Sequence, residues 1–168
     1  MKKRLLAILF VAVIAICAIG CFWEREKTFT KAEMHITLTA GFSEKEHISY
    51  TSTYVSSDVM VFTLKEDRNT CQQAGINFSS TTLMEYAKMV IKANKLSVLP
   101  TEENGLISFY YEKEVSAKEY AYYACVYKSA EGFWLIQFAT LQDEFEGLKS
   151  QICKYAQSVT FSTGSNGV

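Results

Sequence analysis

The sequence predicts an α+β fold in which an antiparallel β-sheet is sandwiched by helices. Three observations carry the expectation. Period-two runs mark strands, apolar residues at spacings of three and four mark two helices, and the links between strand runs are of hairpin length, which demands antiparallel neighbours rather than crossovers.

Taken in order, Phe22 to Ala32 is charged, with Glu24, Arg25, Glu26 and Lys27 in a row and no periodicity, and reads as a tether. Met34 to Thr39 alternates Met, Ile and Leu with His35, Thr37 and Thr39, the pattern of a half-buried strand. Ala40-Gly41 then makes a turn. His47 to Val55 and Val59 to Leu64 read as paired strands joined through Ser56-Ser57-Asp58.

The period then changes. Leu83, Tyr86, Ala87, Val90 and Ile91 form one helical face, opened by a capping box of Thr82 and Glu85. Asn94, tolerant of the left-handed conformation, and the cation Lys95 close it. Pro100, the only proline, falls in the following loop. Leu106 to Val115, Glu119 to Lys128 and Phe133 to Thr140 are again strand-like, and breaks at Ser116-Ala117 and Ala130-Glu131-Gly132 make them a meander. Phe145, Leu148, Ile152, Tyr155 and Val159 define a closing helix. Ser162 to Val168 is small and polar, a frayed tail.

The amino terminus carries the clearest chemistry. Lys2, Lys3 and Arg4 precede an uncharged apolar run from Leu5 to Ile19, and Gly20 and Cys21 follow: the three parts of an export signal. The run is shorter than the roughly 20 residues a spanning helix requires, and the cations stay on the cytoplasmic side. Ala18-Ile19-Gly20-Cys21 resembles the lipobox of bacterial lipoproteins, which implies cleavage between Gly20 and Cys21 and lipid attached to Cys21. That family most often has Leu where this chain has Ala18. The alternative is an uncleaved signal anchor, extended through Phe22 and Trp23 to the interface. Either way the membrane is the first partner, and the body lies on its extracytoplasmic face.

The expected organisation is therefore a signal peptide over 1–20, a lipidated Cys and tether over 21–32, one folded domain over 33–161, and a tail over 162–168. Loss of Lys2, Lys3 and Arg4 from 17 basic residues leaves 14 against 18 acidic ones, a mature charge of -4. The basic residues are dispersed, with no stripe to neutralise successive phosphates, so nucleic acid is not an expected partner.

The mature domain retains Cys71, Cys125 and Cys153. An odd number allows at most one intramolecular pair, with Cα atoms within about 7 Å; three small buried hydrophobes is the alternative. His35 and His47, expected on adjacent strands, would make a metal site with Glu33 or Glu46 if they shared a face; as alternating polar positions they read instead as solvated or satisfied. Cys125 lies in an aromatic run and reads as a packed thiol. Asp143, Glu144 and Glu146 open the last helix, where negative charge complements its dipole. The glycines are isolated, with no phosphate loop. No metal, cofactor or catalytic residue is expected, and the chain does not read as an enzyme.

One feature favours binding: Phe109, Tyr110, Tyr111, Tyr120, Tyr122, Tyr123, Tyr127, Phe133, Trp134 and Phe138 crowd the meander. Alternation sends successive members to opposite faces. One set builds the core; the other lies beneath a helix or forms an aromatic surface, for which Tyr111, Tyr122 and Trp134 are the candidates.

The capped helix from Thr82 to Lys95, the strand from Gly132 to Ala139 and the helix end from Ala156 to Phe161 together resemble the Mog1/PsbP/DcrB-like α/β/α sandwiches. The likeness spans roughly residues 33 to 161. It implies helices on both sheet faces and an accessory or binding role, and it transfers no functional residue. The expected function is a membrane-tethered, non-enzymatic cell-envelope module with an envelope protein as partner, or alternatively a lipoprotein holding a small molecule or glycan in a tyrosine-lined groove.

Overall fold

The computed structural model describes residues 25–162. The leader, Gly20, Cys21 and the tail from residue 163 lie outside them. The chain runs β1 (Glu26–Lys31), β2 (Met34–Thr39), β3 (Ser43–Lys45), β4 (Ser52–Val55), β5 (Met60–Asp67), α1 (Arg68–Gln73), α2 (Leu83–Ala93), β6 (Thr101–Glu103), β7 (Leu106–Val115), β8 (Lys118–Lys128) and β9 (Gly132–Leu141). A single 3-10 turn (Gln142–Glu144) leads into α3 (Phe145–Gln157) and β10 (Thr160–Phe161).

Seven strands form one sheet in the order β3-β4-β5-β9-β8-β7-β6, and β1-β2-β10 form a second. Every pairing is antiparallel. Alternation divides the large sheet into two apolar faces. Phe109, Ala124, Val126, Phe133 and Leu135 pack with Tyr86, Ala87, Val90 and Ile91 of α2. On the opposite face Val61, Cys125, Trp134, Ile136 and Phe138 pack with Met34, Ile36 and Leu38 of β2 and with Ile152 and Tyr155 of α3. The α+β class, an antiparallel sheet between helices, is the architecture observed.

The helix boundaries follow local chemistry. Thr82 accepts from the Glu85 amide while Glu85 accepts from the Thr82 amide, the reciprocal capping box. At the other end the left-handed residue is Lys95 (φ 55°), not Asn94. Leu96 and Lys95 amides donate to the carbonyls of Ile91 and Lys92, a Schellman closure. Asn94 instead turns its side-chain amide onto the Val90 carbonyl.

Two of the strand links are two-residue turns. Ser116 and Ala117 both take positive φ between β7 and β8, as a type I′ hairpin requires. Asn104 and Gly105 do the same between β6 and β7.

Three boundaries differ from the sequence reading. The segment expected to be a tether up to Ala32 is strand β1, so the folded body begins at Glu26 rather than residue 33. Its only buried residue is Phe29, and backbone pairing to β2 holds the rest, which is why no apolar period announced it. The run from His47 is a turn until Ser52, and the last helix ends at Gln157, so that Val159 lies outside it and Thr160–Phe161 form a strand rather than the helix end; β3, α1 and β6, too short to show a period, had no counterpart.

The small sheet is fastened to the large one at the β1–β2 turn. Glu33 sits there, its side chain 11% exposed, and one carboxylate oxygen accepts from Ser129 Oγ at 2.8 Å and Trp134 Nε1 at 3.1 Å. The other accepts from Lys65 Nζ at 2.8 Å. Burial pushes this carboxyl up; hydrogen bonds from Lys65, the Glu33 backbone, Ser129 and Trp134 outweigh it and hold the group at about 2.

Candidate functional site

Strand alternation sorts the aromatic run of the meander. Register pairs Tyr111 with Tyr122 and Phe109 with Ala124, on the α2 face, while Tyr110 pairs with Tyr123 and Tyr127 with Trp134 on the opposite one.

On the α2 face the helix covers one end of the sheet, where Tyr86 stacks on Phe133 at 4.3 Å. Tyr111 and Tyr122, two of the candidate binding residues, lie further along, partly exposed and stacked with centroids 4.8 Å apart and planes within 3°. Gln137 Nε2 donates to Tyr111 Oη at 2.8 Å. Nearby, Tyr50 packs on Phe62 at 4.8 Å.

The third candidate, Trp134, is not part of this patch. It lies on the other face, is fully buried, and spends its indole N–H on Glu33. Strand parity separates it from Tyr122, and a ligand at the tyrosine pair has no access to it.

The face bearing Trp134 contains an aromatic recess. Between α3 and strands β6, β7 and β8 a groove of about 480 Å³ opens, with Tyr110, Tyr123 and Phe145 as its aromatic lining and Glu103, Glu112, Glu146 and Lys149 as its charged residues. Tyr110 leans on Phe145 at 4.9 Å and donates its hydroxyl to Glu112 Oε1. Burial, with that carboxylate beside it, raises the Tyr110 phenol to about 12. Burial likewise raises Tyr123 to about 12. Both phenols are therefore neutral donors at physiological pH.

The groove was not singled out from the sequence, although Tyr110 and Tyr123 were in the aromatic run and Phe145 on the helix face. What was missing was the placement of α3, whose first residue, Phe145, packs on Tyr110 of β7. The alternation Glu112, Lys113, Glu114 was the one local signal of an exposed strand.

The other candidates separate. His35, on β2, makes a 2.9 Å hydrogen bond between Nδ1 and Thr30 Oγ1. His47 lies in the turn before β4, accepts from the Ser49 amide and packs on Tyr50. They are not on adjacent strands, because the chain between them forms β3 and changes sheet, and Glu33 is turned into its contacts with Lys65, Ser129 and Trp134. Among the described residues no group of three His, Cys, Asp or Glu side chains is placed to hold a metal ion.

Cys71, Cys125 and Cys153 are all free thiols. Cys125 is fully buried, and that burial raises its thiol to about 12. Glu144 and Glu146 flank the start of α3 as expected, Glu146 within its first turn. Asp143 lies in the 3-10 turn ahead of them.

These features define a two-sheet α+β sandwich with an aromatic groove beside its last helix. Solved structures are similar to this one. A crystal structure from Bacteroides thetaiotaomicron VPI-5482 is similar at a TM-score of 0.52 and 8% identity, over 84% of this chain and 50% of that one. This chain thus spans about half the length of that protein. The solution structure of cyanobacterial PsbP (CyanoP) from Synechocystis sp. PCC 6803 is similar at 0.48 and 11% identity, over 82% of this chain and 92% of that chain. LpqN of Mycobacterium tuberculosis, described as involved in cell envelope biogenesis, is similar at 0.40 and 10% identity, over 83% and 91%. No family model matches the sequence, and no curated protein does. At these identities the likeness concerns the fold alone.

Proposed function

We propose that this protein is a lipid-anchored, non-enzymatic binding module on the extracytoplasmic face of a bacterial membrane, acting on an envelope protein. The observation that carries the reading is the adjacency of two features: the sequence Lys2-Lys3-Arg4, Leu5 to Ile19, Gly20-Cys21, and a folded body whose first strand opens at Glu26. Among the described residues no helix is long and apolar enough to cross a membrane, so attachment rests on the leader. Lipid on Cys21 gives durable attachment, and four residues before Glu26 keep the domain within about 18 Å of the bilayer surface.

The binding half of the reading is supported by the partly exposed Tyr111–Tyr122 stack and by the groove at Tyr110. Cys125, the best-placed nucleophile type in the aromatic run, is buried with a raised pKa, and His35 and His47 are each engaged locally, which favours binding over catalysis.

Mass spectrometry of the protein extracted from its native membrane tests the anchor. A mature terminus at Cys21 carrying diacylglycerol is expected, and Cys21→Ser releases the domain or leaves the precursor unprocessed. A mature chain retaining residues 1–20 overturns lipidation in favour of a signal anchor. The second reading, a glycan or small-molecule carrier, draws on the volume of the groove, which falls in the range of ligand sites. Saturation-transfer NMR with peptidoglycan-derived saccharides, read for Tyr110→Ala sensitivity, tests it.

A further inference from the structure

The outer edge of the large sheet is only partly closed. β6 is three residues long and pairs with Leu106, Ile107 and Ser108 alone. From Phe109 to Val115, β7 has β8 on one side and, among the described residues, no strand on the other. Alternate backbone amides and carbonyls of this stretch therefore point outward without a sheet partner.

Charge is segregated across the same edge. Parity places Tyr110, Glu112 and Glu114 on the groove side, and Lys113 and Val115 on the other. Glu114 stands directly opposite Glu119, both exposed. Like charges in register are unfavourable in isolation. With Glu103 and Glu146 they make five carboxylates along the groove and its extension, with Lys149 the one ammonium among the groove's lining residues.

We propose that this edge and groove dock an extended, lysine- or arginine-bearing segment of a protein partner. The segment adds as a strand to β7 beyond β6, laying alternate side chains over Tyr110 and Phe145 with their cations among Glu112, Glu114, Glu119 and Glu146. Two features select an extended chain over a small cation. The free backbone groups along β7 are satisfied along their length only by another strand. Glu112 and Glu114 also lie two residues apart, about 6.6 Å, which is the repeat of same-side side chains in an extended peptide. The aromatic floor completes the cation site, since an ammonium or guanidinium over a tyrosine face is favoured there.

The inference deepens the binding reading and is independent of the anchor. The test uses the full chain, isotope-labelled and solubilised in detergent micelles, titrated with an octapeptide of alternating threonine and lysine. The glutamate counterpart of that peptide and spermidine serve as comparisons. We expect saturable binding of the lysine peptide, amide shifts and slowed hydrogen exchange over Phe109 to Val115, and about tenfold weaker binding for Glu112→Gln/Glu114→Gln. Because both side chains are exposed, that variant is expected to fold, and weakening of the unsubstituted protein by 0.5 M NaCl reads the same term without mutation.

Equal binding of the glutamate peptide, spermidine binding as tight as the lysine peptide, or unchanged exchange along β7 overturns the proposal. In that event the charges of β7 serve only to keep the edge from pairing. Failure here leaves lipidation of Cys21 untouched, and an unlipidated Cys21 leaves this titration untouched.

Discussion

Glu33 accepts the indole N–H of Trp134 at 3.1 Å, joining a two-residue turn of the small sheet to the central strand of the large one across more than 100 residues of chain. The same carboxylate holds Lys65 and Ser129. The stacking of the two sheets is thus pinned by one polar side chain at the rim of an apolar core, with three side-chain donors satisfied together.

Glu33→Gln retains the shape and removes the charge. Lys65, 20% exposed, is left facing an amide instead of its carboxylate, while the amide oxygen can still accept from Ser129 and Trp134. The expected cost is about 3 kcal/mol in chemical denaturation. A loss under 0.5 kcal/mol would show that water replaces the carboxylate at no cost.

Acid should have a matching effect. The Glu33 carboxyl is lowered from 4.5 to about 2 in the folded chain. A depressed carboxylate stabilises above its unfolded pKa, and that contribution disappears as pH falls from about 4.5 towards 2. It amounts to about 3 kcal/mol. Stability measured between pH 5 and pH 2 should fall more steeply in the unsubstituted protein than in Glu33→Gln. Parallel slopes would contradict the assignment.

Gly132 opens β9 opposite Asp67. A Cβ built there meets the backbone of Glu66 and Asp67 rather than the end of a flexible side chain. Gly132→Ala should therefore cost about 2–4 kcal/mol and loosen the β5–β9 pairing, read as a lowered denaturation midpoint with faster exchange in β5. Unchanged stability would mean the strands part without penalty.

Thiol chemistry should be uneven. Burial raises the thiols of Cys71 and Cys125, whereas Cys153 is only half-buried in α3. Iodoacetamide at pH 8 on the native protein should modify Cys153 well ahead of the other two, with peptide mapping as the readout. Cys125 labelled at the same rate as Cys153 would show that the core opens.

Much of the architecture was local and therefore legible. Thr82 and Glu85 announced α2 because a capping box is satisfied within four residues. The three meander strands were bounded by turns whose residues sit between apolar runs. Elements that bury little or are very short gave no such signal: β1 shows one buried side chain, and α1 and β6 run for only six and three residues, too few for a period to repeat.

The site divides in the same way. The crowding of tyrosines was visible, but its division between the faces was not: Tyr111, Tyr122 and Trp134 read as one candidate surface, whereas strand register puts Trp134 on the face opposite the other two. Whether a given face is covered depends on helix length and placement across the sheet, set by long-range packing of Phe145, Ile152 and Tyr155. That is why Trp134 proved buried and Tyr110 open.

The sequence by itself determined the periods, the caps, the turn positions and the leader ending in Cys21, because each depends on residues a few positions apart. Only the tertiary structure decided that Glu33 binds Trp134, that among the described residues no strand covers the sheet edge beyond Ser108, and that a groove lies beside α3. Those depend on which segments meet across the chain, and burial free energy is set by the partner as much as by the residue.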